Sequence, residues 1–262
     1  MKPTRKTMLA AAAILVVAAA IAFMIPRLRA PGLVLSDDET GRVFTRLPLE
    51  DGDSFSAVAS CYPEYVQILA RKDITSIEQL AGKNVSVGDA GSGTEFNAKQ
   101  ILAAYGLSFD DIKVSNQSFA DSADSLKNGT IDAAFVVAGY PTTAVTELAT
   151  NFDFNLLPID DAHAKALQSH YGFYYYGVIP GGTYSPVAED TPAVAVMATI
   201  VASNDVSEDV IYAFVKGLFD YKDDITASHV KGSELDLNTA ISGVSIPWHD
   251  GAAKFYKEQG LM

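Results

Sequence analysis

Residues 84–97 read Asn84-Val-Ser-Val-Gly-Asp-Ala-Gly-Ser-Gly-Thr-Glu-Phe-Asn97, which predicts a strand, a glycine-rich loop and the start of a helix. Ser92 and Glu95 have the spacing of a capping box, in which the serine accepts the third helical N–H and the glutamate reaches back. Open N–H groups and the positive end of a helix dipole favour an anion. The loop is therefore either an ordinary capped helix start or a cradle for a carboxylate or phosphate. Its glycine spacing matches neither the dinucleotide fingerprint nor the Walker pattern.

A second glycine-containing loop, Val136-Val-Ala-Gly-Tyr-Pro-Thr142, also leads from a predicted strand into a predicted helix. In open α/β sheets, ligands bind at the carboxyl ends of the strands, so two such loops at one edge indicate a shared site. Tyr140 is suited to stack on or hydrogen-bond a ligand, and Thr142 to donate a hydroxyl. The alternative is that Tyr140 packs on a neighbouring loop.

Strand and helix patterns alternate along the rest of the chain, which predicts an α/β fold with a mainly parallel sheet. Ser118 is a predicted N-cap, and Pro141 is predicted at the first position of a helix. The predicted strands are 65–70, 84–87, 111–114, 131–137, 154–159, 173–179 and 193–202, and the predicted helices are 76–80, 93–105, 119–127, 141–149, 161–169, 207–227 and 250–259.

The composition excludes several classes of protein. The chain has 262 residues, with 19 Lys and Arg against 32 Asp and Glu, a formal net charge of −13. Such a charge repels phosphate backbones and disfavours a partner nucleic acid. Cys61 is the single cysteine, so an internal disulfide is impossible, and no Cys/His spacing indicates a metal site.

Catalytic groups do not form a recognisable set in the sequence. His163 and His170 lie seven residues apart on a polar helix, where a solvated face is the expected setting, and His249 is placed to cap the last helix. Without a convergent acid, base or nucleophile, we expect no enzyme activity, no catalytic residue and no cofactor.

The first 30 residues differ from the remainder. They contain five basic residues and no Asp or Glu, and they include an unbroken apolar run of 18 residues, Met8 to Ile25, long enough to cross a membrane. The segment 1–30 is either a cleaved secretory signal or an uncleaved membrane anchor through residues 8–25. Both alternatives export the rest of the chain to the periplasm or the outer face of the cytoplasmic membrane.

Residues 31–60 read as a short, turn-rich β segment. Leu33-Val-Leu35, Arg42-Val-Phe44 and Ser54-Phe-Ser56 are strand-like, and they are separated by turn signals. About 30 residues are too few to bury a core of their own.

From Tyr62 onward the chain resembles the TAXI family, the extracytoplasmic solute receptors of TRAP (tripartite ATP-independent periplasmic) transporters. The resemblance covers about 200 residues in order, and several separate motifs carry it. These are Tyr62-Pro-Glu-Tyr-Val-Gln-Ile-Leu-Ala-Arg71, Val85-Ser-Val-Gly88, Gly91-Ser-Gly-Thr-Glu95, Asn97-Ala-Lys-Gln-Ile101, Ala133-Ala-Phe-Val-Val-Ala-Gly-Tyr-Pro-Thr142, Ile179-Pro-Gly-Gly-Thr-Tyr184 and Ser245-Ile-Pro-Trp-His249.

The resemblance implies a bilobal, periplasmic-binding-protein-like (type II) fold. Residues 83–178 would form a complete second lobe, and residues 61–82 and 179–262 would form what is present of the first. Such a receptor closes on a small carboxylate, such as glutamate or a dicarboxylate, and delivers it to the TRAP membrane permease. By position, the implied ligand-binding residues are Gly91, Ser92, Gly93, Thr94, Asn97, Tyr140, Thr142, Glu64, Gln67 and Tyr184.

The region before Cys61 departs from the TAXI pattern, because the usual Gly/Thr/Tyr-rich first loop and the first-lobe strands and helices around it are missing. Instead, residues 1–56 resemble a small uncharacterised membrane-anchored family that accompanies these transporters. We therefore expect a segment of different origin at 31–60, a junction near 57–61, and impaired ligand binding. The alternative functions are a membrane-tethered accessory or sensor module built on a receptor lobe, and a non-functional fusion or deletion product.

Overall fold

The computed structural model describes residues 34–37, 43–46 and 55–262. The apolar run predicted to enter the membrane, residues 8–25, lies outside these residues. No helix in the described part of the chain has the length and apolar character needed to cross a bilayer.

Strands and helices alternate through most of the described chain, as the sequence predicts. Short 3-10 helices occur at Ile77–Leu80, Phe109–Asp111 and Val230–Glu234. The strands and α-helices, in chain order, are β1 Val34–Asp37, β2 Val43–Arg46, β3 Phe55–Ala70, β4 Asn84–Ser86, α1 Gly93–Ala104, β5 Lys113–Ser115, α2 Phe119–Lys127, β6 Ala133–Ala138, α3 Thr143–Ala149, β7 Asn155–Leu156, α4 Asp161–His170, β8 Tyr175–Ile179, β9 Thr191–Ser203, α5 Glu208–Asp220, α6 Lys222–Ser228 and α7 Asp250–Glu258.

The main sheet is mixed, so the prediction of a mainly parallel sheet is wrong although the α/β class is confirmed. Its order is β5-β4-β6-β3-β9-β8, with β7 paired to β3, and β1 and β2 form a separate two-stranded sheet. β4 is parallel to β5 and β6, whereas β3 is antiparallel to β6 and to β7, and β8 is antiparallel to β9. The chain connects β4 to β5 through α1 and β5 to β6 through α2, and these strands run parallel because a crossover helix returns the chain in the same direction.

The described chain divides into two compact units. The first is Pro63–Val196, which we call the contiguous unit; the second combines residues 55–62 with Met197–Met262, and we call it the discontinuous unit. The chain therefore passes between them twice, once within β3 and once within β9.

Both faces of the central strand β6 in the contiguous unit are buried. Alternate residues of β6 point to opposite faces: Phe135 packs with Ile101 of α1 and Leu167 of α4. On the other face, Val136 packs with Leu126 of α2. Helices on both sides of the sheet explain why β6 is apolar at every position rather than at alternate ones.

The discontinuous unit has its own core around the first half of β3. Val58 packs with Val215 of α5 and with Phe255 and Tyr256 of α7. The hydroxyl of Tyr256 donates to the backbone oxygen of Val58 (3.0 Å), and residues 57–59 are completely buried. The predicted junction near 57–61 therefore falls inside a continuous core strand. The small residues of Ala57-Val-Ala-Ser-Cys61 gave no clear strand pattern in the sequence.

The two compact units divide the chain at other positions than the predicted lobes, and the division into lobes stays a prediction. Residues 63–82 and 179–196 join 83–178 in the contiguous unit. The physical reason is pairing and burial: Tyr65 to Ala70 pair with β6, and Leu69, Ile179 and Ala193 pack in the same core.

Two predicted helices have different limits. The predicted helix 207–227 is two helices, because Tyr221 has φ −110° and ψ 23° and ends α5 before α6 begins. Pro141 is not the first residue of α3: it follows a cis peptide bond with Tyr140, and α3 begins at Thr143 after the N-cap Thr142.

Candidate functional site

Three loops leave the carboxyl ends of the parallel strands β4, β5 and β6. They are residues 87–92, 116–118 and 139–142, and we call the region they form the carboxyl edge. The first two loops are tied together, because the backbone oxygen of Gly88 accepts from the backbone N–H of Gln117 (3.2 Å) and from Nδ2 of Asn116 (3.0 Å).

The predicted capping box is half confirmed. The hydroxyl of Ser92 accepts the N–H of Glu95 (3.2 Å), as expected. The Glu95 carboxylate reaches back one residue further than predicted, to the N–H of Gly91 (2.6 Å), and its other oxygen accepts from Nδ2 of Asn116 (2.9 Å). The N–H of Ser92 instead donates to the backbone oxygen of Asp89 (3.0 Å). The chain's own carboxylate therefore occupies the Gly91 donor.

Two further donors of the first turn of α1 remain open. Within the described residues, the backbone N–H groups of Gly93 and Thr94 make no hydrogen bond; Gly93 is exposed to solvent, whereas Thr94 is 6% exposed. These groups lie at the positive end of the α1 dipole, where an anion is stabilised. The loop can thus accept an anion at Gly93 and Thr94 while Glu95 fixes the preceding turn.

Asn97 lies in a buried polar cluster on α1. Its Nδ2 donates to the backbone oxygen of Gly93 (2.6 Å), and its Oδ1 accepts from the hydroxyl of Tyr174. The same hydroxyl lies 2.7 Å from Oε1 of Gln100. Burial raises the pKa of Tyr174 well above its ordinary value. The Asn97 amide therefore supports the first turn of α1 from inside the fold.

Three of the predicted site residues meet in one hydrogen-bonded network, although they are far apart in sequence. The Tyr184 hydroxyl donates to Oε1 of Gln67 (2.5 Å) and accepts from the backbone N–H of Thr142 (2.9 Å). Nε2 of Gln67 donates to Oγ1 of Thr142 (2.9 Å) and to the backbone oxygen of Ala138 (3.3 Å). Gln67 and Tyr184 are 0% and 1% exposed, and burial raises the pKa of Tyr184.

Tyr140 belongs to a cluster of half-buried tyrosines at the carboxyl edge. Its ring lies edge-on to that of Tyr65, with 4.8 Å between centroids, and Tyr65 lies 6.2 Å from Tyr175. Gly177 makes room for this cluster, since a Cβ there would lie 2.6 Å from the Tyr65 ring. Sequence reasoning missed Tyr65; the available signal was its spacing of two from Gln67, which places both on one face of β3.

Glu64, the remaining predicted site residue, precedes Tyr65 on β3 and is half-buried. Because side chains alternate along a strand, Glu64 points to the face opposite Tyr65 and Gln67. The structure therefore separates Glu64 from the face of β3 that carries the tyrosine cluster.

The histidines have structural roles in the described chain. His249 caps α7 as expected: its Nδ1 accepts from Gly251 N–H (3.2 Å), and its Nε2 faces the Val206 backbone oxygen (2.9 Å). Nδ1 of His163 lies 2.6 Å from an oxygen of Asp160. No group of three or more His, Cys, Asp or Glu residues within the described part is arranged to hold a metal.

The family model described as "NMT1-like family" matches residues 42–260. The chain belongs to the NMT1-like family. The matched range includes residues 42–60, part of the segment predicted to have a different origin.

Solved structures of binding proteins resemble this NMT1-like chain at low identity. The periplasmic aliphatic sulphonate binding protein SsuA from Escherichia coli is 13% identical, with 71% of this chain and 56% of that chain covered and a TM-score of 0.38. An ancestral arginine-binding protein bound to glutamine is 17% identical (74% and 67% covered, TM-score 0.38). A putative L-cystine ABC transporter from Listeria monocytogenes is 15% identical (70% and 66% covered, TM-score 0.41). The chain thus spans little more than half the length of the sulphonate-binding protein.

Proposed function

We propose that this NMT1-like protein is an extracytoplasmic solute-binding protein that captures a small organic anion for uptake. The observation that carries the proposal is the pair of open N–H groups at Gly93 and Thr94, at the start of a helix and at the carboxyl edge of the sheet. Membership of the NMT1-like family and the two passages of the chain between its units support the same role.

The proposed ligand carries a carboxylate, as in glutamate or a dicarboxylate. One carboxylate oxygen accepts from Gly93 and the other from Thr94, while Gly91 and Ser92 shape the loop and Tyr140 lies beside the bound molecule. The Glu95 carboxylate close by favours a ligand that also carries a positive charge, because two carboxylates side by side repel each other. Glutamate therefore fits this edge better than a dicarboxylate such as 2-oxoglutarate.

Calorimetry on the full-length protein tests the ligand class. We expect L-glutamate to bind more tightly than 2-oxoglutarate, and glutamine to serve as the control that keeps the α-carboxylate and ammonium groups. Ethanesulphonate tests the alternative headgroup named by the sulphonate-binding neighbour. Binding of the sulphonate alone, or of none of these molecules, contradicts the proposal.

Gly93→Ala tests the location of the anion. A Cβ at Gly93 meets nothing within 4 Å, so the substitution leaves the fold intact and places a methyl group where the ligand approaches. We expect glutamate affinity to fall about tenfold, because the methyl group keeps the ligand carboxylate from its closest approach to the Gly93 N–H and so weakens one charge-assisted hydrogen bond. Gly172→Ala is the matched control, because its Cβ is equally unobstructed. Equal affinities of the two variants would place the ligand elsewhere.

The proposed membrane partner is a TRAP permease, as in the TAXI receptors that the chain resembles. Cross-linking on intact cells, followed by mass spectrometry of captured membrane proteins, tests this assignment. Capture of TRAP membrane subunits is the expected result. Capture of an ATP-binding-cassette permease would contradict the assignment of a TRAP permease as the partner. N-terminal sequencing of the mature protein decides between a cleaved signal and an anchor through residues 8–25.

A further inference from the structure

Every side-chain N–H and O–H of Gln67, Thr142 and Tyr184 already donates a hydrogen bond within the protein, so none is left for a ligand. A backbone N–H can only donate, so the Tyr184 oxygen that accepts from Thr142 N–H must give its own proton to Gln67. This fixes the Gln67 amide with its oxygen toward Tyr184 and both hydrogens of Nε2 toward Thr142 Oγ1 and Ala138. The Thr142 hydroxyl then donates to the backbone oxygen of Gly139 (3.1 Å).

We propose that Tyr184 is a positioning residue for the ligand site: it holds Gln67 and Thr142 so that the 139–142 loop presents Tyr140 at the carboxyl edge. Gln67 belongs to the central strand β3, which is paired on the neighbouring β6, and it is completely buried. The loop is therefore bonded to a buried inner strand of the sheet through one phenol and one amide. The consequence for ligand affinity rests on the proposed function.

The geometry connects the network directly to the loop that carries Tyr140. Thr142 contributes both its backbone N–H and its hydroxyl, and the hydroxyl closes the loop onto Gly139. Tyr140 lies between these two anchored residues, with its ring against Tyr65. Removing the Tyr184 hydroxyl takes away the acceptor of the Thr142 N–H and one of the bonds that hold this end of the loop, while the apolar packing of the Tyr184 ring against Phe154 remains (6.2 Å between centroids).

Tyr184→Phe is the test variant, and Tyr256→Phe is its matched control. Both replace a buried tyrosine whose hydroxyl donates one hydrogen bond, but Tyr256 bonds to Val58 in the discontinuous unit. Hydrogen exchange followed by mass spectrometry measures the loop without any ligand. In Tyr184→Phe we expect faster exchange in peptides covering 139–149 and unchanged exchange across β6, because only the Thr142 N–H loses its acceptor. Tyr256→Phe leaves both regions unchanged.

A uniform rise in exchange over the whole contiguous unit, or no change at 139–149, would overturn the positioning role. Thr142→Val provides a second variant, because it keeps the backbone N–H and removes only the hydroxyl. It should accelerate exchange in the same peptides even if Tyr184→Phe fails to fold, and the absence of that effect would also count against the proposal.

Calorimetry with L-glutamate measures the consequence for binding. We expect the affinity of Tyr184→Phe to fall about tenfold and that of Tyr256→Phe to change less than about twofold. An unaltered affinity in Tyr184→Phe would overturn the effect on the site. If the wild-type protein does not bind glutamate, the proposed ligand is wrong, whereas the exchange experiment still decides whether Tyr184 holds the loop.

Discussion

At the scale of single residues, Gly88 is the position where the carboxyl edge depends most on the absence of a side chain. Gly88 has φ +89°, and a Cβ there would lie 2.7 Å from Cβ of Thr94. We expect Gly88→Ala to lower the free energy of unfolding by about 3 kcal/mol, from the left-handed backbone and the clash together. Urea denaturation followed by circular dichroism measures the change.

Gly129→Ala separates the two causes. Gly129 also has a positive φ, +74°, but a Cβ there meets nothing within 4 Å. Gly129→Ala should lower the free energy of unfolding by only about 1 kcal/mol, which is the contribution of the left-handed backbone alone. If the two alanine variants were equally unstable, the contact between Gly88 and Thr94 would contribute nothing.

At the scale of elements, α7 depends on a histidine cap whose tautomer the structure determines. Gly251 N–H can only donate and the Val206 oxygen can only accept, so Nδ1 of His249 serves as the acceptor and Nε2 as the donor. We expect His249→Ala to lower the free energy of unfolding by about 2 kcal/mol, through the lost cap and the unpaired Val206 oxygen.

His249→Asn tests the cap separately, because asparagine is a good N-cap but does not reach Val206. His249→Asn should lower the free energy of unfolding by about half as much as His249→Ala, measured by the same urea denaturation. Identical losses in both variants would assign the whole effect to the Val206 bond.

Local sequence patterns predicted the helices that begin with a clear N-cap residue. Ser92 and Ser118 cap α1 and α2 as expected, since a cap is a contact between residues three apart. The first half of β3 was missed because its buried residues are small, and the break at Tyr221 was missed because the apolar period continues across it. The pairing of Gln67 with Tyr184 spans 117 residues. No periodicity encodes such a contact, and only the family resemblance placed both residues in the site.

At the scale of the whole molecule, buried tyrosines make the fold sensitive to alkali. Burial raises the pKa values of Tyr174, Tyr184 and Tyr256 in the folded protein. The unfolded chain ionises its tyrosines near pH 10, where the folded chain keeps these three protonated. The contribution of these tyrosines to the free energy of unfolding should therefore be constant below about pH 9 and fall as the pH rises above 10.

Urea titrations between pH 8 and pH 11 measure that slope. Tyr256→Phe should reduce it by at most about 1.4 kcal/mol per pH unit, the contribution of one proton. Tyr176→Phe is the control, because Tyr176 is 40% exposed. A slope that is the same in wild type and Tyr256→Phe would show that burial of this phenol does not govern the alkaline response.

The interruption of one unit by the other has a consequence for how the protein is made. The contiguous unit takes its core partners from residues 63–196, whereas Val58 waits for Tyr256, 198 residues later. During synthesis the apolar strand segment 57–61 is therefore exposed for the time needed to translate the rest of the chain, about 10–40 s at the usual rates. A chaperone that binds short apolar segments would find its target here, ahead of the contiguous unit.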